Sequence, residues 1–332
     1  MRPPAPVAPL LAAARAFHRR VLRAVASSRL DPDGAAREGV GDLSFPIDDL
    51  AEEALEALGR EVGSICPALL VAEGLGEKRF GRGGPRLRVI VDPVDGSRER
   101  THRLGSAWAL VGFAREQGGG ARARDFFLAL QGEIPLPHSP TLRVLGAERG
   151  RGAWEEVRHA GTGRLRSRRR YRADARARPG AGFHVFAAFG AADRTPLARV
   201  QDRFHEGLRR RFGTDFRAIG DWMAGPTARL LLDATEGRLR MAADLRPLFP
   251  RSIRATAKPY DLAALLVPLE AGGIVTSPDG RPLDFPLDLD SGVAFVAYPN
   301  RRVCSGLEPL LRRALRSVHA SRSSRQGSAA FE

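Results

Sequence analysis

The pattern of apolar and polar positions predicts a chain in which helices and short strands are interleaved. Apolar residues recur at helical spacing at about 8–25, 48–62, 194–212, 224–236, 258–272 and 302–317. Short apolar runs predict strands at 68–72, 87–91, 107–113, 126–130, 141–145, 184–188 and 293–297. Several of these runs are continuously apolar, which is typical of strands covered on both faces. The pattern therefore predicts layered sheets packed between helices, in the α+β or α/β class.

The order of these segments predicts two subdomains and a tail. Residues 1–162 read as one or two helices followed by several strands, and residues 163–318 alternate strand with helix. The stretch 161–181 is rich in Gly, Arg and Ala and poor in apolar residues, which favours a junction or an exposed loop. Residues 319–332 have the composition of a disordered tail.

The net charge of +15 comes almost entirely from arginine, since Lys78 and Lys258 are the only lysines. A basic chain attracts polyanions through non-specific electrostatics. The sequence has no zinc-finger spacing, no basic helix with interleaved aromatics and no RNA-binding signature. We therefore expect a small anionic substrate and no specific nucleic-acid partner.

Three further features bear on localisation. No apolar run is long and uncharged enough to predict a membrane span, so we expect no membrane association. The first helical segment is interrupted by arginines and reads as amphipathic rather than as a signal peptide. Cys66 and Cys304 are far apart and form neither a metal motif nor a disulfide framework. These features predict a cytoplasmic protein.

The most specific local motif follows the strand at 87–91. There the chain runs directly into Asp92, Pro93, Val94 and Asp95. Because proline lacks a donor and fixes φ, Pro93 is expected to end strand pairing sharply and leave two carboxylates at the strand tip. The backbone N–H groups of Gly96 and Ser97 then form a candidate phosphate-binding turn. Carboxylates beside such amides suit Mg²⁺, although a solvated, capped turn would have the same sequence.

Three other acidic segments make the solvated-turn reading less favourable. Glu73 follows the apolar strand at 68–72, Asp48 opens a helical segment, and Asp261 opens another after Pro259. Each has an ordinary explanation as a cap or a strand-end charge. Their occurrence together in one chain favours a shared metal centre.

Together these segments resemble the inositol monophosphatase family of Mg²⁺-dependent phosphatases, over about residues 8–318. Its motifs are matched by Ala72-Glu73, by Asp92-Pro-Val-Asp-Gly-Ser97, by Ala147-Glu-Arg-Gly-Arg-Gly-Ala-Trp154, by Tyr260-Asp-Leu-Ala-Ala264 and by Glu270-Ala-Gly-Gly273. The resemblance implies the five-layer αβαβα sandwich shared by inositol monophosphatases and fructose-1,6-bisphosphatases. It also implies a homodimer.

The resemblance further implies roles for individual residues. Glu73, Asp92 and the carbonyl of Val94 would hold one Mg²⁺ ion, and Asp92, Asp95 and Asp261 a second, in a site for two or three ions. Hydrolysis by metal-activated water then needs no protein nucleophile.

Other residues would assist catalysis and substrate binding. Ser97 and Glu73 would orient the attacking water, and Asp48 would fix the Ser97 hydroxyl. Arg37 lies near the position where the family has a basic residue, with a spacing that matches only approximately. Arg98 is a second candidate for substrate binding because guanidinium groups favour phosphate and sulfate.

The chain departs from the family pattern at Phe45, Gly74, Leu265 and Arg98–Arg100, and these departures leave the substrate open. The leading hypothesis is a phosphomonoesterase acting on a small phosphorylated polyol, sugar or nucleotide. A 3′(2′),5′-bisphosphate nucleotidase or a fructose-bisphosphatase is an alternative activity. A pseudoenzyme that binds a ligand or partner is an alternative of another class, and an arginine-driven polyanion-binding protein is a third.

Overall fold

The structure is a computed structural model that describes residues 3–27, 37–38, 43–44, 51–118, 120–180, 182–188, 194–213, 217–219, 226–249 and 256–328. For 37–38, 43–44, 217–219 and 319–328 the description is of the backbone. The helices are α1 (Val7–Ser27), α2 (Glu52–Ile65), α3 (Ser97–Thr101), α4 (Thr195–Phe212), α5 (Thr227–Thr235), α6 (Leu266–Glu270) and α7 (Arg301–Ser328). Short 3₁₀ turns lie at Ala123–Asp125, Arg246–Leu248 and Tyr260–Leu262.

The strands form two large sheets and one small ladder. They are β1 (Arg37–Glu38), β2 (Leu43–Ser44), β3 (Ala68–Ala72), β4 (Gly76–Phe80), β5 (Leu87–Asp95), β6 (Ala107–Arg115), β7 (Phe126–Ile134), β8 (Thr141–Glu148), β9 (Gly152–His159), β10 (Leu165–Tyr171), β11 (Phe183–Phe186), β12 (Arg217–Ile219), β13 (Leu239–Asp244), β14 (Ile274–Thr276) and β15 (Phe295–Tyr298). The first sheet has the order β10-β9-β8-β7-β6-β5-β3-β4, and the second the order β12-β11-β13-β15-β14. Strands β1 and β2 pair only with each other among the described strands.

Helices and sheets form five layers, which pack on one another through three apolar cores. One core joins α1 and α2 to one face of the first sheet, through residues such as Phe17, Leu58 and Val89. The second lies between the two sheets and includes α5 and α6. The third packs α4 and α7 on the far face of the second sheet. Both sheets are therefore covered on both faces, which explains the continuously apolar strands and confirms the predicted αβαβα sandwich.

The boundary between the two sheets differs from the predicted one at 162/163. Strand β10 pairs antiparallel with β9, so the first sheet continues to Tyr171. Composition predicted a loop or junction at 161–181 because β10 reads Leu-Arg-Ser-Arg-Arg-Arg-Tyr and lacks an apolar face. An edge strand with exposed side chains needs no apolar alternation, and its charges discourage pairing with another chain.

Two helical predictions also need correction. The segment 258–272 is a 3₁₀ turn at Tyr260–Leu262 followed by the short helix α6. Pro268, in the first turn of α6, has no N–H to donate to the Ala264 carbonyl, so one continuous helix would lose that bond. Helix α7 continues to Ser328, so residues 319–328 are helical rather than a disordered tail. Extension of an existing helix avoids the cost of nucleation. Among the described residues, no helix combines the length and the apolar character needed to cross a bilayer.

The quoted motif residues also hold the layers together. Glu270 at the end of α6 accepts hydrogen bonds from the N–H groups of Gly150 and Gly152, at 2.9 and 3.0 Å. These glycines form the turn between β8 and β9. The two sequence motifs, which are more than 100 positions apart, therefore meet in one contact that fixes α6 against the first sheet.

Gly112 in β6 allows the chain around Ala263 to pack directly on the first sheet. A Cβ at Gly112 would lie 2.3 Å from the carbonyl oxygen of Ala263 and 2.5 Å from the ring of Phe126. We expect Gly112→Ala to lower the free energy of unfolding by about 1–3 kcal/mol, the usual cost of overpacking. The measurement is urea unfolding, with Gly84→Ala as the control because nothing lies within 4 Å of its Cβ position. Equal stability of the two variants would contradict the close packing.

Candidate metal centre

Parallel pairing of β3 and β5 places the first two acidic residues side by side. Ala72 at the end of β3 is in register with Val91, so the next residues along the two strands are Glu73 and Asp92. The N–H of Glu73 donates to the carbonyl of Val91 at 3.3 Å. Because parallel strands end at the same edge of a sheet, both carboxylates emerge at one edge, as in many α/β sites.

Strand β5 does not end at Pro93. Its pairing with β6 is interrupted after Asp92 and resumes at Asp95, which lies opposite Trp108. Proline removes one ladder hydrogen bond, and an irregularity accommodates this loss without ending the strand. Within the irregularity the N–H of Val94 donates to the Asp92 carboxylate at 2.9 Å. Both aspartates are consequently held on a strand rather than on a loose turn.

Gly96 then turns the chain into α3 with φ of 99°, in the left-handed region. A Cβ at this position would lie 2.3 Å from the ring of Pro226, immediately before α5. Glycine is therefore required here both by the backbone conformation and by the close approach of the second half of the chain.

Asp95 binds the start of α5. Its carboxylate oxygens accept the N–H groups of Thr227 and Ala228, at 3.1 and 2.7 Å. These are unpaired donors of the first helical turn, and the helix dipole favours a negative charge there. A carboxylate from the first sheet thus caps a helix that lies between the two sheets.

Asp261 is brought to the same place by the segment that packs over Gly112. Its Oδ2 accepts the N–H of Lys258 at 2.7 Å, which closes the 3₁₀ turn around Tyr260. Carboxylate oxygens of Asp92, Asp95 and Asp261 all lie within 4.8 Å of one another. Asp261, which is far away in sequence, therefore converges with Asp92 and Asp95 as the predicted ligand cluster.

Burial and mutual repulsion raise the pKa values of this cluster. Asp92 and Asp95 are 1% and 7% exposed. The pKa of Asp92 is raised well above its ordinary value by burial first, and then by the charges of Glu73, Asp95 and Asp261. The pKa of Asp95 is raised in the same way by burial and by Asp261, against the lowering effect of its bonds to α5.

The cluster fits a divalent cation. No described Lys or Arg forms an ion pair with Asp92 or Asp95, and their described hydrogen-bond donors are backbone N–H groups. Buried carboxylates without a counter-ion are costly, and hard carboxylate oxygens at this spacing are the ligands that Mg²⁺ prefers. The donor set, its burial and its geometry thus match the predicted type of site.

The remaining predicted residues fall near this cluster or outside the described residues. Ser97 begins α3, and its hydroxyl donates to the Val94 carbonyl at 2.9 Å. Arg98 is the next residue of that helix and is partly exposed. Asp48 lies outside the described residues, and Arg37 is described only by its backbone, in β1. The roles of all four residues stay predictions.

The structure adds Glu99 to the acidic surroundings of the site. Its pKa is raised by burial, and its charge in turn raises the pKa of Asp95. In the sequence, the only sign that Glu99 belongs to the site is that it follows Asp95 by four residues, about one helical turn. The N–H groups of Thr227 and Ala228 were missed altogether, because backbone donors carry no sequence signature.

Solved structures of inositol monophosphatases have the same fold. A Pyrococcus horikoshii protein described as similar to inositol-1 monophosphatase aligns with a TM-score of 0.58 at 20% identity, covering 91% of this chain and 95% of its own. An inositol monophosphatase of Thermotoga maritima aligns with 0.59 at 18% identity, over 93% and 98%. An inositol monophosphatase/NADP phosphatase, solved with Mg²⁺ and phosphate, aligns with 0.55 at 14% identity, over 90% and 92%.

No family model matches the chain, and no curated protein matches it significantly in sequence. At identities of 20% and below, the structural matches establish the fold. The chain therefore has the inositol monophosphatase fold, as the sequence motifs implied, with a sequence that has diverged far from the solved examples.

Asp92→Asn is expected to stabilise the metal-free protein and to abolish its stabilisation by Mg²⁺. The amide oxygen can still accept the Val94 N–H, while one buried negative charge is removed. In chelator the melting temperature should rise by about 2–4 °C for each kcal/mol of relieved repulsion. The measurement is thermal unfolding in chelator and in Mg²⁺, with exposed Asp290→Asn as the matched control.

This difference should depend on pH. Because the folded-state pKa of Asp92 is raised, the folded protein binds the extra proton and wild type loses stability as pH rises above the ordinary value of 3.8. The advantage of Asp92→Asn in chelator should therefore grow with pH and level off above the raised pKa. An advantage that shrinks with rising pH would show that this carboxylate is not repelled by its neighbours. An unchanged response to Mg²⁺ would show that it is not a ligand.

Proposed function

We propose that the protein is a Mg²⁺-dependent phosphomonoesterase acting on a small phosphorylated polyol, sugar or nucleotide. The observation that carries the proposal is the convergence of Asp92, Asp95 and Asp261 at the edge of β5, in the fold of inositol monophosphatases. A phosphatase-type enzyme is the class of protein that this fold supports. The magnesium requirement and the reaction are inferred from the chemistry of the site.

The carboxylates would hold the cations. Asp92, Asp95 and Asp261 face one another, and Glu73 and the Val94 carbonyl would complete the set of oxygen ligands for two or three ions. When bound, such ions lower the pKa of a nearby water and neutralise charge on the phosphate oxygens. The chain itself fixes the spacing of its carboxylates through β5, the α5 cap and the Lys258 contact, so little reorganisation is needed on binding.

The residues that would meet the phosphate lie at the start of α3. Ser97 is held by its hydrogen bond to Val94, and with Glu73 it would orient the attacking water. The N–H groups of Gly96 and Ser97 would bind phosphate oxygens. We place Arg98 beside the leaving group or a second anionic group of the substrate, with Asp48 and Arg37 in the supporting roles that the sequence motifs imply.

The substrate is best identified by phosphate release from a panel of compounds. We would use inositol phosphates, fructose bisphosphate, other sugar phosphates and adenosine bisphosphate, each with Mg²⁺ and with chelator. Chelator-sensitive release from one class would support the phosphatase and name its substrate. Preference for a bisphosphate would favour a role for Arg98 in holding the second phosphate.

Asp261→Asn is expected to reduce kcat/KM by at least about 10³-fold, equivalent to about 4 kcal/mol of transition-state stabilisation. The amide can keep the bond to the Lys258 N–H but is a poorer ligand than a carboxylate. Phosphate release measures the loss of turnover, and a Mg²⁺ titration followed by thermal shift measures the loss of metal binding. Asp290→Asn serves as the control of equal chemistry at an exposed position.

Wild-type turnover by Asp261→Asn would reject the assignment. A folded wild-type protein that binds Mg²⁺ but releases no phosphate from any substrate would point to a pseudoenzyme. Binding to nucleic acid or heparin that falls steeply with salt, without phosphatase activity, would favour the polyanion-binding alternative.

We further propose that the protein is a homodimer of the cytoplasm, acting on a small anionic substrate without a specific nucleic-acid or membrane partner. Support comes from the sequence resemblance and from the two cysteines, which are both free and buried. Sedimentation equilibrium of the full chain should give twice the monomer mass at micromolar concentration. A single monomeric species at that concentration would refute the dimer.

A further inference from the structure

A cavity of about 640 Å³ lies between the end of α1, the end of α3 and the loop that follows β7. One part of its described lining is apolar and consists of Leu22, Val25, Ile134, Pro135, Leu136 and Pro137. The other part carries Arg100 and Arg103. No described residue of the lining is acidic, and none is a ligand of the candidate metal centre. The cavity is therefore a separate compartment with cationic and apolar walls.

Arg100 is buried in this wall, and none of the described residues supplies a counter-charge to it. The residue is 8% exposed, its Nε has no hydrogen-bond partner, and no described carboxylate forms an ion pair with it. The neighbouring Thr101 hydroxyl is also buried and has no hydrogen-bond partner within the described part of the chain. Unpaired buried cations and hydroxyls are costly, so these groups fit a ligand that supplies acceptors.

A second buried arginine, in the 3₁₀ turn that follows β13, shows the usual solution. Arg246, with a side chain 3% exposed, binds the Asp244 carboxylate through two hydrogen bonds, at 2.9 and 2.6 Å. Arg100 has a similar degree of burial but no such partner among the described residues. The contrast indicates that the partner of Arg100 is not part of the described chain.

Arg103 supports the same conclusion from the backbone. Its φ of 58° lies in the left-handed region, where it is the one described residue other than glycine. This conformation costs about 1–2 kcal/mol for a residue with a Cβ. It places Arg103 close enough to Arg100 that its charge lowers the pKa of Arg100, after the larger effect of burial. The Leu104 N–H donates to the Glu99 carbonyl at 2.8 Å, so this left-handed residue closes α3 and sets a second guanidinium group beside Arg100 in the cavity lining.

We propose that this cavity is a binding site for a small organic anion with an apolar body, separate from the metal centre. Arg100 and Arg103 would bind a carboxylate or phosphate head in the bidentate manner of guanidinium groups. The apolar wall formed by α1 and the loop after β7 would cover the body of the ligand. The volume suits a ligand of about 10–20 heavy atoms, within the 300–1,000 Å³ range of small-molecule sites.

Octanoate is the probe of choice because it combines one carboxylate with one apolar chain. Calorimetric titration of the full chain is expected to show saturable binding of one octanoate, equal in Mg²⁺ and in chelator. Octanol, which lacks the charge, and sulfate, which lacks the chain, should each bind at least tenfold more weakly. Octyl phosphate, titrated in chelator, distinguishes a phosphate from a carboxylate head.

Arg100→Met and Arg103→Met should each weaken octanoate binding at least tenfold, while Arg151→Met, at a side chain 77% exposed, should not. Ala26→Phe tests the cavity while leaving both arginines in place. Ala26 belongs to the lining at the exposed end of α1, and a larger side chain there would fill part of the cavity. It should also weaken binding at least tenfold. Melting temperatures establish that each variant is folded.

Several outcomes would overturn the inference. They are the absence of octanoate binding to wild type, equal affinity for octanol, loss of binding in chelator, and unchanged affinity in Arg100→Met and Ala26→Phe. Loss in chelator would assign the carboxylate to the metal centre instead. Because no step of the test requires turnover, its result is independent of whether the protein is a phosphatase.

Discussion

The two halves of the molecule meet at the buried carboxylate of Asp95. This side chain ends a strand of the first sheet, caps the first turn of α5, and shares its surroundings with Asp92 and Asp261. The N–H groups of α5 stabilise its charge, and the neighbouring aspartates oppose it. The packing between the sheets and the chemistry of the site consequently depend on the same pair of carboxylate oxygens.

This arrangement joins metal binding to stability. Carboxylates placed this close and this deep repel one another, and each pays for the loss of hydration. A divalent cation relieves both penalties at once, so the metal-loaded protein is expected to be the more stable form. Each candidate ligand is supported by regular structure: Asp92 by β5, Asp95 by α5 and Asp261 by the 3₁₀ turn. Precision of the site is thus supplied by secondary structure rather than by flexible loops.

The excess of arginine has several structural uses. Glu156, only 2% exposed, accepts hydrogen bonds from both Arg15 and Arg158, and Glu155 accepts from Arg143 and Arg169. Arg143 also binds Glu236, which links the first sheet to the end of α5. A basic composition therefore need not indicate a polyanionic partner. Arg100 and Arg103 differ because their positive charge faces an apolar cavity with no described acid.

The sequence by itself located the acidic residues of the candidate metal centre and determined the layered architecture. Apolar runs that end in a carboxylate located Glu73, Asp92 and Asp95, since a buried strand can end only where the chain turns outward. The apolar pattern did not predict β10, whose arginine-rich side chains show no apolar alternation. It also misplaced the end of β5, because an irregularity in the strand accommodates Pro93.

Only the tertiary structure decided how the ligands are held and what surrounds them. The Asp95 cap on α5 joins residues 132 positions apart, and Gly112 admits the Asp261 segment through a backbone contact. The cavity beside Arg100 likewise combines α1, α3 and the loop after β7. Local periodicity reports whether a residue is buried, but not which distant backbone group or side chain it will meet. That information arises when the sheets pack together.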